Sequence, residues 1–335
     1  MSRESPDKSS RIRPLRLVRG SGTQALAPSV LAIGTFDGIH IGHQALIARA
    51  RARAAANAGF EAGLLSFEPM PREVLSPTHP PARLTSLRER WRLLEHSGLD
   101  RLHLLTFDTR LRSKSGAEFM ALLQGLGARC LVIGHDFRFG RGGQASAAWC
   151  AAEAHHYGFD VEVIAPVMVD GERASSGLIR AALAAGDLQR AARLLGRPYS
   201  MRARVRRGAQ LGRTLGFPTA NLGIARRRSP LAGIFAVRVR GVVAPASTGT
   251  AAGGRASIGA GKAWPAVASL GTRPTVNGVE PLLEVHLFDF EGDLYGAELE
   301  VEFVARLRAE LRFESVGLMV AQMHRDAAAA RAALG

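Results

Sequence analysis

The sequence predicts an α/β domain followed by a small antiparallel β-barrel that ends in a helix, and three observations carry that expectation. Up to about Ala165, short β-rich runs alternate with helical ones; that alternation builds a parallel sheet with helices on both faces. Beyond Arg197 the texture changes to β-like runs separated by Gly and Pro, as in a barrel. The last stretch, "SVGLMVAQMHRDAAAARAAL", is helical in composition.

Taken in order, residues 1–14 read as a flexible basic arm. They carry charge but no 7–15-residue apolar core and no small-residue cleavage site, so they are not a secretory signal. The strands of the first domain, residues 15–197, are "SVLAIGTF", "AGLLSF", "RLHLLTF", "CLVIG" and "VEVIAP". Helical segments such as "HQALIARARARAAANAG" and "LRERWRLLEHSG" separate them. "SSGLIRAALAAG" and "DLQRAARLLG" follow, each stopped by a Gly. The barrel domain, residues 198–335, contributes "SMRARVRRG", "GIFAVRV", "AVASLG", "LLEVHLFDF" and "LEVEFVARL". Within it, residues 243–264 are Gly/Ala/Ser-rich and read as a flexible loop. Their "GAGKA" is not a phosphate-binding P-loop, because Ala256 and Ala263 occupy positions that need Gly and Ser or Thr.

Composition narrows the function. The 335 residues are 47% apolar, and no apolar run approaches the ~18 residues of a membrane span. Cys130 and Cys150 form no disulfide framework and lack metal spacing, which suits a cytoplasmic location. The formal net charge is +15, and between Asp187 and Glu280 there is no acidic residue but sixteen Arg or Lys. Such a surface attracts polyanions: phosphorylated small molecules, or nucleic acid.

The stretch "GTFDGIHIGH", Gly34 to His43, lies where a strand gives way to a helix. A Gly-rich turn there exposes backbone N–H groups at the positive end of a helix dipole, which favours phosphate. His40 and His43 flank that point and can donate to phosphoryl oxygens as charge builds in a transition state. His40-Ile41-Gly42-His43 is also similar to the class I aminoacyl-tRNA synthetase signature, but the lysine-rich loop such enzymes need is missing from a chain with three lysines. "RASSGLIR" offers two serines before a helix and Arg180 one turn beyond Ser176.

With those motifs stated, the chain resembles the bifunctional bacterial riboflavin kinase/FAD synthetase family. "GTFDGIHIGH", "FEPMPRE", "IGHDFRFG" and "RASSGLIR" are similar to its Rossmann-like nucleotidyltransferase module, and "LGRTLGFPTANL", "LGTRPTVNG" and "LEVHLFDFEGDLYG" to its flavokinase module. The resemblance implies two sequential activities: riboflavin is phosphorylated to FMN, then FMN is adenylylated to FAD, with ATP as co-substrate and Mg²⁺ as metal. It implies that His40 and His43 serve adenylyl transfer. Gly34, Phe36, Asp37, Gly38, Arg173, Ser176 and Arg180 then contact the nucleotide, and Asp136 and Phe137 the flavin. It further implies that Thr219 and Asn221 hold the metal, that Glu284 is the catalytic base, and that Gly212 and Gly216 belong to a mobile nucleotide loop. The partners are riboflavin, FMN and ATP; no membrane is involved, nucleic acid is not expected, and no oligomeric state is implied.

Two residues depart from the family pattern. Met70 of "FEPMP" stands where the family usually has His, and Gly177 stands where Ser or Thr is common. Two alternatives stay open: an RNA-binding protein on a nucleotidyltransferase-like scaffold, and a kinase whose first module only binds flavin.

Overall fold

A computed structural model describes residues 14–20, 26–208, 212, 215–224, 226, 228–242, 263–275 and 278–335. The arm up to residue 13 and almost all of the 243–264 loop fall outside the described residues. Contacts divide the chain into two compact units, residues 1–80 with 90–167, and residues 81–89 with 168–335.

The first unit is built on β1 (Arg16–Arg19), β2 (Ser29–Ile33), β3 (Glu61–Phe67), β4 (Arg101–Leu105), β5 (Ala128–Gly134), β6 (Arg138–Phe139), β7 (Ala145–Ser146) and β8 (Asp160–Ile164). Six of these form one sheet in the order β1-β4-β3-β2-β5-β8, every pairing parallel, while β6 and β7 make a two-stranded ladder. β1 is an edge strand just after the residues read as an arm. β2 shows why parallel strands read as continuous apolar runs, since all five residues are buried. Val30 and Ala32 pack with Leu46, Ile47 and Ala50 of α1 (Ile41–Ala55). Leu31 and Ile33 face the opposite core.

The remaining helices are α2 (Pro71–Leu75), α3 (Leu87–Glu95), α4 (Thr109–Ser113), α5 (Gly116–Gly125) and α6 (Ala147–Glu153). Phe119, Met120 and Leu123 of α5 and Cys150 of α6 cover the face carrying Leu31 and Ile33. The sheet is therefore doubly wound, as expected. From β2 the chain proceeds to β3 on one side, whereas β5 leads to β8 on the other. The crevice beyond the carboxyl ends of β2 and β5 is the topological switch point where such sheets bind ligands.

His103 on β4 is fully buried, neither ring nitrogen has a hydrogen-bond partner among the described residues, and burial followed by Arg101 and Arg16 lowers its pKa to about 4. A histidine depressed in the fold binds its proton more readily in the unfolded chain, so stability is complete above pH 6.5 and falls as pH drops toward 4. The full loss is about 3 kcal/mol. Urea unfolding of wild type and His103→Leu between pH 7 and pH 4 is expected to show a steeper fall in stability in wild type, the difference being the His103 contribution. Parallel slopes would contradict it.

The second unit begins with β9 (Met168–Val169) and β10 (Glu172–Arg173), followed by α7 (Ser176–Ala185) and α8 (Leu188–Leu195). Gly186 and Gly196 close these helices in the left-handed conformation, the stop signals legible in the sequence. Six strands then close a barrel in the order β11-β12-β15-β14-β13-β16. They are β11 (Ser200–Arg206), β12 (Ala220–Gly223), β13 (Gly233–Val242), β14 (Trp264–Thr275), β15 (Gly278–Leu287) and β16 (Glu298–Arg308). Leu222, Phe235, Leu283, Val285 and Val301 are among its buried residues, and α9 (Val316–Leu334) packs through Ala330 and Leu334 against Ala236 and Phe288.

The compact units do not divide at residue 198, where composition changes. Residues 81–89 group with the barrel because Arg226 donates to Leu84 O (3.0 Å) and to Glu89 Oε2 (2.7 Å), while Glu89 Oε1 accepts from Arg202 N (2.8 Å). Arg180 Nε donates to Ala82 O (2.6 Å) and Tyr199 Oη to Leu84 O (3.1 Å). A buried ion pair persists only with such additional hydrogen bonds.

Candidate active sites

In the first unit the predicted residues Gly34, Phe36, Asp37, Gly38, His40 and His43 form the turn from β2 into α1. Phe36 (φ 52°) and Ile39 (φ 43°) adopt left-handed backbone conformations that bulky residues avoid. Each costs on the order of 1–3 kcal/mol, and such strain gathers where function requires a fixed shape. Phe36, Asp37, Ile39 and His40 are all buried.

His40 caps α1, its Nδ1 accepting from the His43 backbone N–H at 3.4 Å. An Nδ1 that accepts leaves the proton of the neutral ring on Nε2. The two imidazoles stack with centroids 3.6 Å apart, and the Phe36 ring lies 4.9 Å from His43. Burial, then His40, then Arg90 hold His43 well below the ordinary histidine range, so its ring is neutral at pH 7. Its Nδ1 is buried without a hydrogen-bond partner among the described residues.

β5 ends beside β2, with Ala32 opposite Val132. Asp136 and Phe137 follow directly, and Phe137 stacks on Phe139 at 5.4 Å. Met70 is buried and precedes α2, its backbone N–H donating to Glu73 Oε2 at 3.0 Å.

Arg173, Ser176 and Arg180 belong to the second unit. Ser175, rather than Ser176, caps α7, its Oγ accepting from Leu178 N at 3.2 Å. Ser176 is the first helical residue, and Arg180 stands four positions on, on the same face.

The barrel brings Gly212, Thr219 and Glu284 to one cleft of about 280 Å³. Leu283 and Val285 are buried, so Glu284 and His286 project from the other face of β15. Both line the cleft, together with Leu311, Phe313, Met319 and Met323. Asn221 lies directly opposite Glu284 across β12–β15, and Ser269 directly opposite it across β14–β15. Directly opposed residues share a face, so Asn221, Glu284 and Ser269 form one row. His286 Nδ1 lies 2.9 Å from Pro218 O and braces the turn that carries Thr219.

Glycines make room for this arrangement. A Cβ on Gly208 would sit 2.5 Å from Asn221 Cγ, and one on Gly212 would run into the Phe217 carbonyl and lie 3.2 Å from Thr219 Oγ1. Gly216 adopts φ 79°. Gly212→Ala is expected to lower riboflavin phosphorylation by about 10-fold to 100-fold, the scale of a displaced positioning group, with FMN adenylylation unchanged. Steady-state assays with each flavin check this; equal losses in both reactions would contradict it.

Ser66, Arg90 and Ser269 lie beside the predicted residues without belonging to any of the quoted motifs; Glu68 and His286 lie within them without an assigned role. For Arg90 a signal exists: it stands on the face of α3 that carries Leu87, Trp91 and Leu94, where an apolar residue is expected. Ser269 gives none, because a serine on an alternating strand is ordinary.

A doubly wound sheet with a strained, phosphate-type turn and a barrel with a carboxylate-bearing cleft define a two-module protein built for nucleotide chemistry. The FAD synthetase family model matches residues 23–178, and the riboflavin kinase model residues 195–334. The chain is 42% identical to a bifunctional riboflavin kinase/FMN adenylyltransferase of Pseudomonas fluorescens, over 95% of this chain and 97% of that one. The corresponding protein of Escherichia coli K12 is 37% identical, covering 96% and 98%. A crystal structure described as a macrolide-efflux protein from Streptococcus pneumoniae superposes with TM-score 0.75 at 30% identity, covering 94% of this chain and 98% of that one. The chain belongs to the bifunctional riboflavin kinase/FMN adenylyltransferase family. Among the described residues no helix is long and apolar enough to cross a membrane.

Proposed function

We propose that the barrel cleft phosphorylates riboflavin and that the β2–α1 turn transfers the adenylyl group. With ATP, riboflavin gives FMN and ADP; with a second ATP, FMN gives FAD and pyrophosphate. The observation that carries the kinase assignment is the row Asn221–Glu284–Ser269, whose Glu284 and Ser269 line a cleft that also holds Gly212 and Thr219. Its apolar lining, with Phe217, Phe313 and Met319, suits a flat tricyclic ring. Glu284 accepts the proton of the primary hydroxyl as that oxygen attacks the γ-phosphorus and ADP departs.

Mg²⁺ belongs with this reading. Thr219 and Asn221 offer hard neutral oxygens beside glycines that leave them room, and ATP phosphates supply the anionic ligands. No cluster of three or more His, Cys, Asp or Glu able to hold a metal occurs among the described residues, which fits an ion that arrives with the nucleotide. When bound, Mg²⁺ would neutralise phosphate charge, and Gly212 and Gly216 would stand beside the nucleotide.

In adenylyl transfer a phosphate oxygen of FMN attacks the α-phosphorus of ATP and pyrophosphate leaves. His40 and His43 donate to the phosphoryl oxygens at the positive end of the α1 dipole. Asp136 and Phe137 hold the flavin, and Arg173, Ser176 and Arg180 supply further phosphate contacts. The functional modules correspond to residues 15–197 and 198–335. Free, buried Cys130 and Cys150 support a cytoplasmic setting.

Chromatographic analysis of products from riboflavin, and separately from FMN, with ATP and Mg²⁺ tests both assignments; FAD from each is expected. Met70→His is expected to leave FMN formation alone and raise the FAD-forming rate by supplying an imidazole near phosphate. An unchanged or lower rate would show that this position is only structural.

A further inference from the structure

Arg90 has no part in the chemistry above, yet it is fully buried beside it. We propose that Arg90 is a positioning residue of adenylyl transfer: its guanidinium fixes the Thr35 carbonyl, and through it the Phe36–His43 turn that carries the histidine pair. This rests on the reading that the β2–α1 turn performs adenylyl transfer.

A guanidinium is costly to bury, and a methionine or leucine would pack the same space. Arg90 Nη1 donates to Thr35 O (2.7 Å) and Ser66 Oγ (3.0 Å), and Nη2 donates to Glu68 Oε2 (2.9 Å). The Ser66 hydroxyl donates to the same Thr35 carbonyl at 3.1 Å. Thr35 O therefore accepts from two donors, one of them held by the other.

The next residue is Phe36, the first of the two left-handed bulky residues. A strained conformation survives only where its surroundings over-determine it, and the doubly bonded carbonyl supplies that constraint. From Phe36 the order passes by contact: its ring meets His43, and His43 stacks on His40. Arg101, another buried arginine, makes the contrast. It pairs with Glu61 and bonds Leu126 O at the amino-terminal end of β4, away from the carboxyl ends of the strands, and braces only the sheet. The Arg90 charge, paired with Glu68, also contributes to keeping His43 neutral.

The test uses full-length Arg90→Lys and Ser66→Ala, with His43→Ala in parallel. FMN adenylylation is read as kcat and KM, and riboflavin phosphorylation and thermal melting report folding. Arg90→Met with Glu68→Gln, which leaves no unpaired carboxylate, is expected to lose about 10²-fold in adenylylation kcat, the cost of a displaced catalytic group. Arg90→Lys keeps the charge and one donor and is expected to lose about tenfold. Ser66→Ala, the mildest change, loses up to about tenfold, the scale of one neutral hydrogen bond. KM for ATP moves less than kcat in each, and FMN formation stays at the wild-type rate. Wild-type adenylylation kcat in folded Ser66→Ala and Arg90→Lys, or a loss confined to KM, overturns the proposal while a slow His43→Ala keeps the turn as the site. A His43→Ala enzyme that adenylylates at the wild-type rate overturns the underlying reading instead.

Discussion

Glu284→Gln is expected to lower riboflavin phosphorylation by roughly 10²–10⁴-fold, the usual scale for losing a general base, while supplied FMN still becomes FAD. Gln keeps the shape of the side chain in the row between Asn221 and Ser269 but cannot take the hydroxyl proton. Leu283 and Val285 remain inside the barrel, so the fold is untouched. Single-turnover assays with riboflavin and ATP separate the chemical step from binding. A rate within threefold of wild type would make Glu284 a lining residue only.

His43→Ala is expected to slow FMN adenylylation by on the order of 10²–10³-fold, judged from the loss of one donor aimed at developing charge. His43 carries no stabilising hydrogen bond at Nδ1, so the fold loses mainly the ring contacts to Phe36 and His40. FMN then accumulates from riboflavin. Both ratios are free-energy differences between enzymes rather than shares of catalysis.

The histidine pair is legible in the sequence because a Gly-rich β–α turn is a local signal, complete within ten residues. The doubly wound sheet is legible for the same kind of reason: buried parallel strands such as "SVLAI" and capped helices such as Asp187–Leu195 declare themselves. What is not legible depends on partners distant in sequence. β12 is four residues long and becomes a strand by pairing with β11 and β15. Ser269 gains its place from the β14–β15 register, and Glu284 looks like an ordinary outward residue until the cleft lined by Phe313 and Met319 covers its face. Nothing local in the sequence marks residues 81–89 as part of the barrel unit, but Glu89 and Arg226, 137 positions apart, tie them to it. Arg90 shows an intermediate case: its misplaced charge is visible, its partner Thr35 is not.

The central claim is that two chemistries occupy two separate sites on one chain, and a single measurement tests it most directly: FMN and FAD formation by wild type, His43→Ala and Glu284→Gln, each supplied with riboflavin and, separately, with FMN. Two separate sites predict that His43→Ala converts riboflavin to FMN at the wild-type rate and stops there. Glu284→Gln fails on riboflavin but converts FMN to FAD normally. Loss of riboflavin phosphorylation in a His43→Ala protein that remains folded by circular dichroism would contradict the account and put one shared active site in its place.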